Sequence, residues 1–523
     1  GAAAFLAFVP LFLLLESIEE YGRALRYSYL SFLVFNIVTL YWTGGFTHGR
    51  DLYLMIAGGL LVLAHPLFFC VPVMCLMFFR RQYGFKSSLL VFPVIWVAFE
   101  YMHSVTEIGF PWLTIGNTQT YDLYAVQFAS LTGVLGVSFW IACINVLLFF
   151  LLAKIAVGEW NHFSSRSLFT LILILSVYML PRIYGWSVLK NHPVSTENKI
   201  RIAAVQPNID PFDKWTDSGL KQLAIIQSQT SKIGADKADL VIWPETAVPF
   251  YALHPFNRYS LDRIREMVDS LGTSLLAGIP DIKYYHEGEI IPKSSKISAD
   301  GKHYDTYNSS MLIEARSTEI QKYAKVLLVP FAERVPFSEA LSFLNAMQWN
   351  FGLGGWAHGR DTSVLKLKTA RGLTVPFSNM ICYESAYPGY VASFVNKGAQ
   401  FLTVITNDSW WGNTPGAYQH KQFAVLRAVE NHRWIIQCAN GGVSCFIDPF
   451  GRTTEETGMF VQTTLSGNIS ALSDLTFYSE HGDWFGDACL IICAFILASA
   501  AGNKFYRFIR KKNDYIVEAD SAV

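Results

Sequence analysis

Hydrophobic positions along this chain fall into two regimes. Through the first part they form long, nearly unbroken blocks at 2–15, 28–43, 53–79, 87–102, 124–153 and 167–186, and one more block follows at 485–501. A helix that crosses a bilayer needs about 20 mostly apolar residues, so the blocks predict membrane helices, the first and last being short. Block 53–79 holds Pro66 and Pro72, which predicts a kink. Six such blocks within the first 186 residues are too many for one soluble core. Between 198 and 470 the pattern changes to short apolar runs with polar breaks. Ile200–Val205, Leu240–Trp243, Thr374–Tyr383 (broken at Pro376) and Phe401–Thr406 read as strands. Ser260–Leu271 and Tyr418–Asn431 carry helical spacing. Strands alternating with helices predict stacked sheet and helix layers.

The expected organisation is a multi-pass α-helical membrane domain over 1–186 and an α/β domain over 198–470. A C-terminal membrane helix at 485–501 and a tail at 502–523 follow. Composition agrees with this division. The chain is 52% hydrophobic and 16% charged, where soluble domains carry about 25% charged residues. Its 41 basic and 41 acidic residues cancel, and no basic stripe points to nucleic acid. The basic residues do fix an orientation. Arg23 and Arg26, then Arg80, Arg81 and Lys86, then Lys154 and Arg166 occupy alternate loops; loop 44–52 has only Arg50 and loop 103–123 has none. The tail adds Lys504, Arg507, Arg510, Lys511 and Lys512. The positive-inside rule then sets the tail in the cytoplasm and 187–484 outside. The first block would then run inward from outside, which means either a preceding helix or a block that does not span. The start at Gly1 lacks a basic n-region, so no signal peptide is expected.

Of the eight cysteines, Cys70, Cys75, Cys143, Cys489 and Cys493 lie in apolar blocks, where cysteine acts as a small hydrophobe. No Cys/His spacing suggests a metal site, and a Cys438–Cys445 disulfide is conceivable without being indicated. Three motifs in the polar middle carry chemistry. Trp243-Pro244-Glu245 puts a carboxylate at a strand end, where it can act as a general base. Lys325 follows Tyr323-Ala324 and precedes a proline-bounded loop, where a semi-buried ammonium can stabilise an oxyanion. Ile381-Cys382-Tyr383-Glu384 delivers a thiol from an apolar strand, and a thiolate beside a cation attacks carbonyls. Each motif alone reads better as a surface glutamate, a snorkelling lysine or a structural cysteine.

Together the three resemble the nitrilase superfamily, as do Tyr307-Asn308 and Asn407-Asp408-Ser409-Trp410-Trp411-Gly412. With membrane helices before and after, the whole chain resembles the apolipoprotein N-acyltransferase family. Gly109-Phe110-Pro111-Trp112, Val205-Gln206-Pro207 and Val329-Pro330-Phe331 add to that likeness. The chain departs from the family where Ala332 replaces a usual glycine and Gln437 replaces a usual arginine, and the first family helix is expected to be missing from the sequence as given.

The resemblance implies an α-β-β-α sandwich with Glu245, Lys325 and Cys382 as catalytic residues. It implies a two-step acyl transfer from phospholipid, through a Cys382 thioester, to the N-terminal amine of a diacylated apolipoprotein. The enzyme would be a monomer in the bacterial inner membrane, with its catalytic domain on the periplasmic side and no metal or cofactor. Glu333 and Glu384 are expected to hold Lys325 charged, Asn308 to support the site, and Trp243, Tyr383 and Trp410 to shape an acyl pocket. Phe343, Met347, Trp349, Phe351 and Trp356, interspersed with glycines, read as a lipid-facing lid. Glu100, near Trp96 in an apolar block, is a candidate functional carboxylate. Two alternatives stand beside this reading: a membrane-tethered nitrilase-type amidohydrolase that uses water, and a transporter with an inert outer domain.

Overall fold

The computed structural model describes residues 1–46, 51–156, 164–191, 199–214, 219–234, 237–340 and 355–521. Its membrane half comprises α1 (Val9–Glu16), α2 (Tyr21–Leu40), α3 (Leu52–Tyr83), α4 (Phe85–Ser104), the short α5 (Leu123–Val126), α6 (Ala129–Ala156) and α7 (Ser165–Asn191). Among the described residues five helical stretches are long and apolar enough to cross a membrane: Leu52–Tyr83, Phe85–Ser104, Ala129–Ile155, Ser167–Asn191 and Trp484–Arg510. The first two apolar blocks of the chain behave differently. Block 2–15 forms a 3-10 turn and then the 8-residue α1, which spans only about 12 Å. Phe12 and Leu15 on α1 are wholly buried against the bundle. Helix α2 has 20 residues, but Arg23 and Arg26 occupy its first turns.

Pro66 and Pro72 lie inside one uninterrupted helix. The irregularity falls instead in α6, where Gly133 adopts φ 65° and ψ −177°. A Cβ there would lie 2.5 Å from the Tyr478 ring, so glycine answers both the dihedral and the close approach. The break frees the Val134 amide, which donates to Glu430 Oε1 at 2.8 Å in the α/β half. Glu100 is buried, and its Oε1 accepts from Trp96 Nε1 at 2.9 Å and from the Ile115 amide at 2.8 Å. It thus ties α4 to the loop that follows.

The half from 199 to 481 contains two sheets. The first runs β13 (Thr463–Ser470), β1 (Lys199–Gln206), β2 (Leu240–Ile242), β3 (Ser274–Tyr284), β5 (His303–Ile313) and β4 (Lys296–Ile297), with β6 (Ile320–Ala324) also on β5. The second runs β12 (Thr453–Glu456), β11 (Cys445–Ile447), β10 (Ile435–Ala439), β9 (Leu402–Thr406), β8 (Thr374–Ile381) and β7 (Leu365–Lys368). Ile202, Leu240, Ile242 and Leu312 meet Phe377, Val404, Ile436 and Phe446 between the sheets. Helices α8 (Leu220–Ser231) and α9 (Arg258–Leu271) cover the first sheet through Leu223, Ile226, Ile264 and Val268. Helices α10 (Pro388–Asn396) and α11 (Pro415–Asn431) cover the second. The result is an α-β-β-α sandwich. Strand β8 passes through Pro376 without a break, because its ladder with β9 begins only at Ser378. After α12 (Phe477–His481) the chain returns to the membrane bundle as α13 (Trp484–Ser521). All eight cysteines are free thiols.

Candidate active site

Strands β1, β2 and β3 are mutually parallel, as are β8, β9 and β10. Glu245 follows β2 and Cys382 follows β8, so both stand beyond the carboxyl ends of parallel strands, where α/β folds gather their chemistry. Gly278 on β3 lets the Glu245 loop lie close to the sheet, since a Cβ would come 2.5 Å from the Pro244 carbonyl oxygen. Cys382 has φ 52°, a left-handed conformation that costs a non-glycine residue about 1–3 kcal/mol. The turn Cys382–Ala386 carries it, and Glu384 holds that turn. Glu384 Oε2 accepts the Ile381 amide at 2.8 Å. Its Oε1 accepts the Tyr323 hydroxyl at 2.6 Å and the Val326 amide at 2.7 Å. Glu384 therefore joins the Cys382 turn to the segment after Lys325 rather than pairing with the lysine itself, because backbone amides and the Tyr323 hydroxyl occupy its oxygens.

Lys325 is 1% exposed. Its Nζ lies 2.9 Å from Glu333 and 3.8 Å from Glu245 Oε1. Asn308 Nδ2 donates to Glu245 Oε1 at 2.7 Å and to Glu333 Oε1 at 3.2 Å, and the Asn407 amide donates to Glu245 Oε2 at 3.1 Å. Burial works against the Lys325 ammonium, but Glu333 and Glu245 outweigh it and hold the group above the usual lysine range. Burial pushes the Glu245 carboxyl up; Lys325 pulls it back and Glu333 pushes it further. Burial also pushes the Cys382 thiol well above its ordinary range; Glu245 adds to this, and Lys325 opposes it. Burial and Glu245 thus disfavour the Cys382 thiolate, so a base is needed to take the thiol proton.

The remaining candidates separate. Asn308 is in the cluster. Tyr383 is buried beside it, but its hydroxyl donates to the Gly109 carbonyl at 3.0 Å and its ring stacks with Phe110 and Trp112. It docks the Cys382 turn onto the loop after α4. Trp410 packs against Phe212, with ring centres 5.3 Å apart. Trp243 is not brought to the site: it lies on the helix-covered face of the first sheet, and its Nε1 donates to Thr230 at 2.9 Å. Trp356 bridges to Thr306 and accepts from Arg334 at 3.0 Å through its carbonyl. Phe343, Met347, Trp349 and Phe351 lie outside the described residues. Ala332 is not among the left-handed residues; Phe331 takes that conformation, at φ 64°, so the methyl is accommodated. Gln437 is buried and donates to the Val443 carbonyl at 3.0 Å.

One basic residue enters without having been expected. Lys214 is buried, and its Nζ donates to the Glu245 carbonyl at 3.0 Å and to the Thr246 hydroxyl. Burial lowers its pKa to about 8, with Glu245 opposing. In the sequence it is one lysine between Asp213 and Trp215, with no apolar run to announce burial.

A family model described as carbon-nitrogen hydrolase matches residues 201–475, and one described as the apolipoprotein N-acyltransferase N-terminal domain matches residues 1–147. Fold and site thus define a carbon-nitrogen hydrolase domain built onto a bundle of apolar helices. Apolipoprotein N-acyltransferase of Chlorobaculum tepidum is 37% identical over 508 residues, 96% of this chain and 92% of that protein. The protein of that name from Geobacter metallireducens is 30% identical over 505 residues, 96% and 91% of the two chains. The chain belongs to the apolipoprotein N-acyltransferase family. Among solved structures, an amidase from Nesterenkonia sp. aligns with TM-score 0.37 at 18% identity, over 54% of this chain and 94% of the amidase.

Proposed function

We propose that this chain is a bacterial inner-membrane enzyme of lipoprotein maturation. It moves an acyl chain from a phospholipid, through a thioester on Cys382, to the α-amine of a diacylglyceryl-cysteine lipoprotein. Glu245 takes the thiol proton as sulfur attacks the ester carbonyl. Lys325, kept charged by Glu333, stabilises the tetrahedral oxyanion. The ester C–O bond breaks, and the departing alkoxide takes the proton from Glu245, leaving a lysophospholipid and the acyl-enzyme. In the second half the neutral α-amine attacks the thioester carbonyl and gives a proton to Glu245. The C–S bond breaks, and the proton returns to the sulfur. The scheme is ping-pong and works as a monomer, with the catalytic half on the periplasmic side.

The observation that carries this reading is the seating of the Cys382 turn on the membrane half. Tyr383 and Tyr387 both donate to the Gly109 carbonyl, at 3.0 and 3.1 Å. Trp112 Nε1 donates to Gln419 at 2.7 Å. A nucleophile against the bilayer end of the bundle shortens the path of a lipid ester, and moving each CH₂ from lipid into water costs about 0.8 kcal/mol. Intact mass after incubation with phospholipid tests the proposal. An added acyl mass is expected on the parent chain and none on Cys382→Ser or Cys382→Ala. An adduct that persists in Cys382→Ala refutes the assignment.

A further inference from the structure

The acyl-transfer scheme gives no task to the buried ionisable cluster around His420. His420, on α11, is wholly buried, and both of its ring nitrogens are engaged. Nδ1 lies 2.8 Å from Asp408 Oδ1; Nε2 lies 2.9 Å from Ser385 Oγ and 3.0 Å from the carbonyl oxygen of Cys382. Cys382 Sγ, a carboxylate oxygen of Asp408 and a ring nitrogen of His420 all lie within 4.8 Å of one another. These are donor types that could hold a metal, but both ring nitrogens are already committed to protein partners.

Hydrogen bookkeeping fixes the state of the ring. The Ser385 hydroxyl donates to the Cys382 carbonyl at 3.0 Å, so its oxygen can only accept from Nε2. The carbonyl can only accept as well, and Nε2 must carry a hydrogen. Asp408 Oδ1 already accepts the Thr406 hydroxyl at 2.7 Å, so the same oxygen accepts across its 2.8 Å contact with Nδ1, and Nδ1 carries a hydrogen too. Burial disfavours that imidazolium, but the Asp408 charge outweighs it and holds His420 above the ordinary histidine range. The ring is clamped by Trp112 at 5.7 Å, Trp411 at 6.3 Å and Phe423 at 6.4 Å between centres. Everything converges on the peptide of Cys382, the residue held at φ 52°.

We propose that His420 is a positioning residue for acylation: backed by Asp408, its Nε2–H grips the Cys382 carbonyl and the Ser385 hydroxyl and fixes the left-handed turn that aims the thiol. The inference rests on the reading of Cys382 as nucleophile. Without that grip the turn has a route back to an extended conformation, and a displacement of about 1 Å at a reacting atom can cost on the order of 100-fold in rate.

Two substitutions test it. His420→Phe fills the space of the ring but donates nothing, whereas His420→Gln keeps an N–H where Nε2 stands. Single-turnover thioester formation from phospholipid in detergent micelles is followed by intact mass, with thermal unfolding to verify folding. His420→Phe is expected to be folded and slowed about 100-fold, and His420→Gln to recover to within about tenfold of the parent. His420→Met serves as the apolar comparison if the phenylalanine variant does not fold. A packing role predicts the reverse order, with Phe tolerated. The proposal is overturned if the apolar variant acylates at the parent rate, or if Gln is no faster than the apolar variant. A thioester that survives Cys382→Ala would instead remove the nucleophile assignment on which it rests.

Discussion

At the scale of residues, the site is a question of how an unreactive thiol becomes a nucleophile. Burial and the Glu245 carboxylate push the Cys382 thiol well above its ordinary range, and Lys325 pulls the other way. Thiolate therefore forms only as a base removes the proton. Two outcomes follow. The rate of Cys382 alkylation by iodoacetamide should climb with pH through about 10 without a plateau, whereas an ordinary thiol is half ionised near 8.5 and levels off about one unit higher. A plateau below that range would show a resting thiolate and would reverse the argued sign. Lys325→Met removes the cation that favours thiolate, so alkylation at fixed pH should slow further, and thioester formation should fall by roughly 10²–10³. Normal thioester formation in that variant would give the lysine another job. Glu245, Lys325 and Cys382 were legible as candidates because their three motifs occur together, not because any one of them stands out alone. Trp243 was misread although the pattern held the answer. Leu240 and Ile242 face the second sheet, so Val241 and Trp243 must face the helices. Lys214 and His420 were not legible, because nothing local distinguishes a buried cation from a surface one when its partners lie far away in sequence.

At the scale of elements, the strands act as rulers for the loops at their ends. Strand β3 contributes no catalytic side chain, yet its Gly278 decides how closely the Glu245 loop can approach. The atoms a Cβ would meet there are backbone: the Pro244 carbonyl oxygen and the Thr246 amide nitrogen, each at 2.5 Å, and the Glu245 Cα at 2.7 Å. Such neighbours cannot swing aside as a side chain can. Gly278→Ala should cost about 1–3 kcal/mol, measured as a lowered unfolding midpoint. It should also slow thioester formation more than iodoacetamide alkylation, because it shifts the base and leaves the thiol in place. An unchanged acylation rate in a folded variant would show that the loop tolerates displacement. Sequence patterning located most long helices and several core strands, since each buries a long or alternating apolar surface. It was weaker where one residue sets the geometry. Pro376 suggested a break that pairing on β8 makes unnecessary, and Pro66 and Pro72 suggested a kink that α3 does not need. The real irregularity, at Gly133, reflects the distant Tyr478 ring and was invisible from neighbours in the chain.

At the scale of the whole molecule, the helices give the catalytic half a side. Arg80 donates to the Ile18 carbonyl at 2.6 Å and to the Glu16 carbonyl at 2.9 Å, and Arg507 donates to the Gln82 carbonyl at 3.2 Å. The end of α3, the α1–α2 connection and the outer part of α13 therefore meet in one basic cluster. Helix α4 begins beside it at Phe85 and ends at Ser104, a length of 20 residues, which is about 30 Å of helix. Beyond its far end Glu107 accepts the Phe337 amide at 2.6 Å, and Gly109 receives Tyr383. The basic cluster and the catalytic half thus occupy opposite ends of one membrane helix. Positive residues are retained in the cytoplasm, so the catalytic half should face outward. Cysteine reporters test this in a Cys382→Ala background: Phe256→Cys, at a residue 93% exposed on the catalytic half, and Lys504→Cys beside the basic cluster. In spheroplasts an impermeant maleimide should label position 256 and spare position 504, and permeabilisation should make both reactive. Labelling of 504 alone in sealed spheroplasts would invert the molecule and strand the catalytic half away from an outer-leaflet lipid substrate. Labelling of both before permeabilisation would remove the single-sided basic cluster as the determinant of orientation.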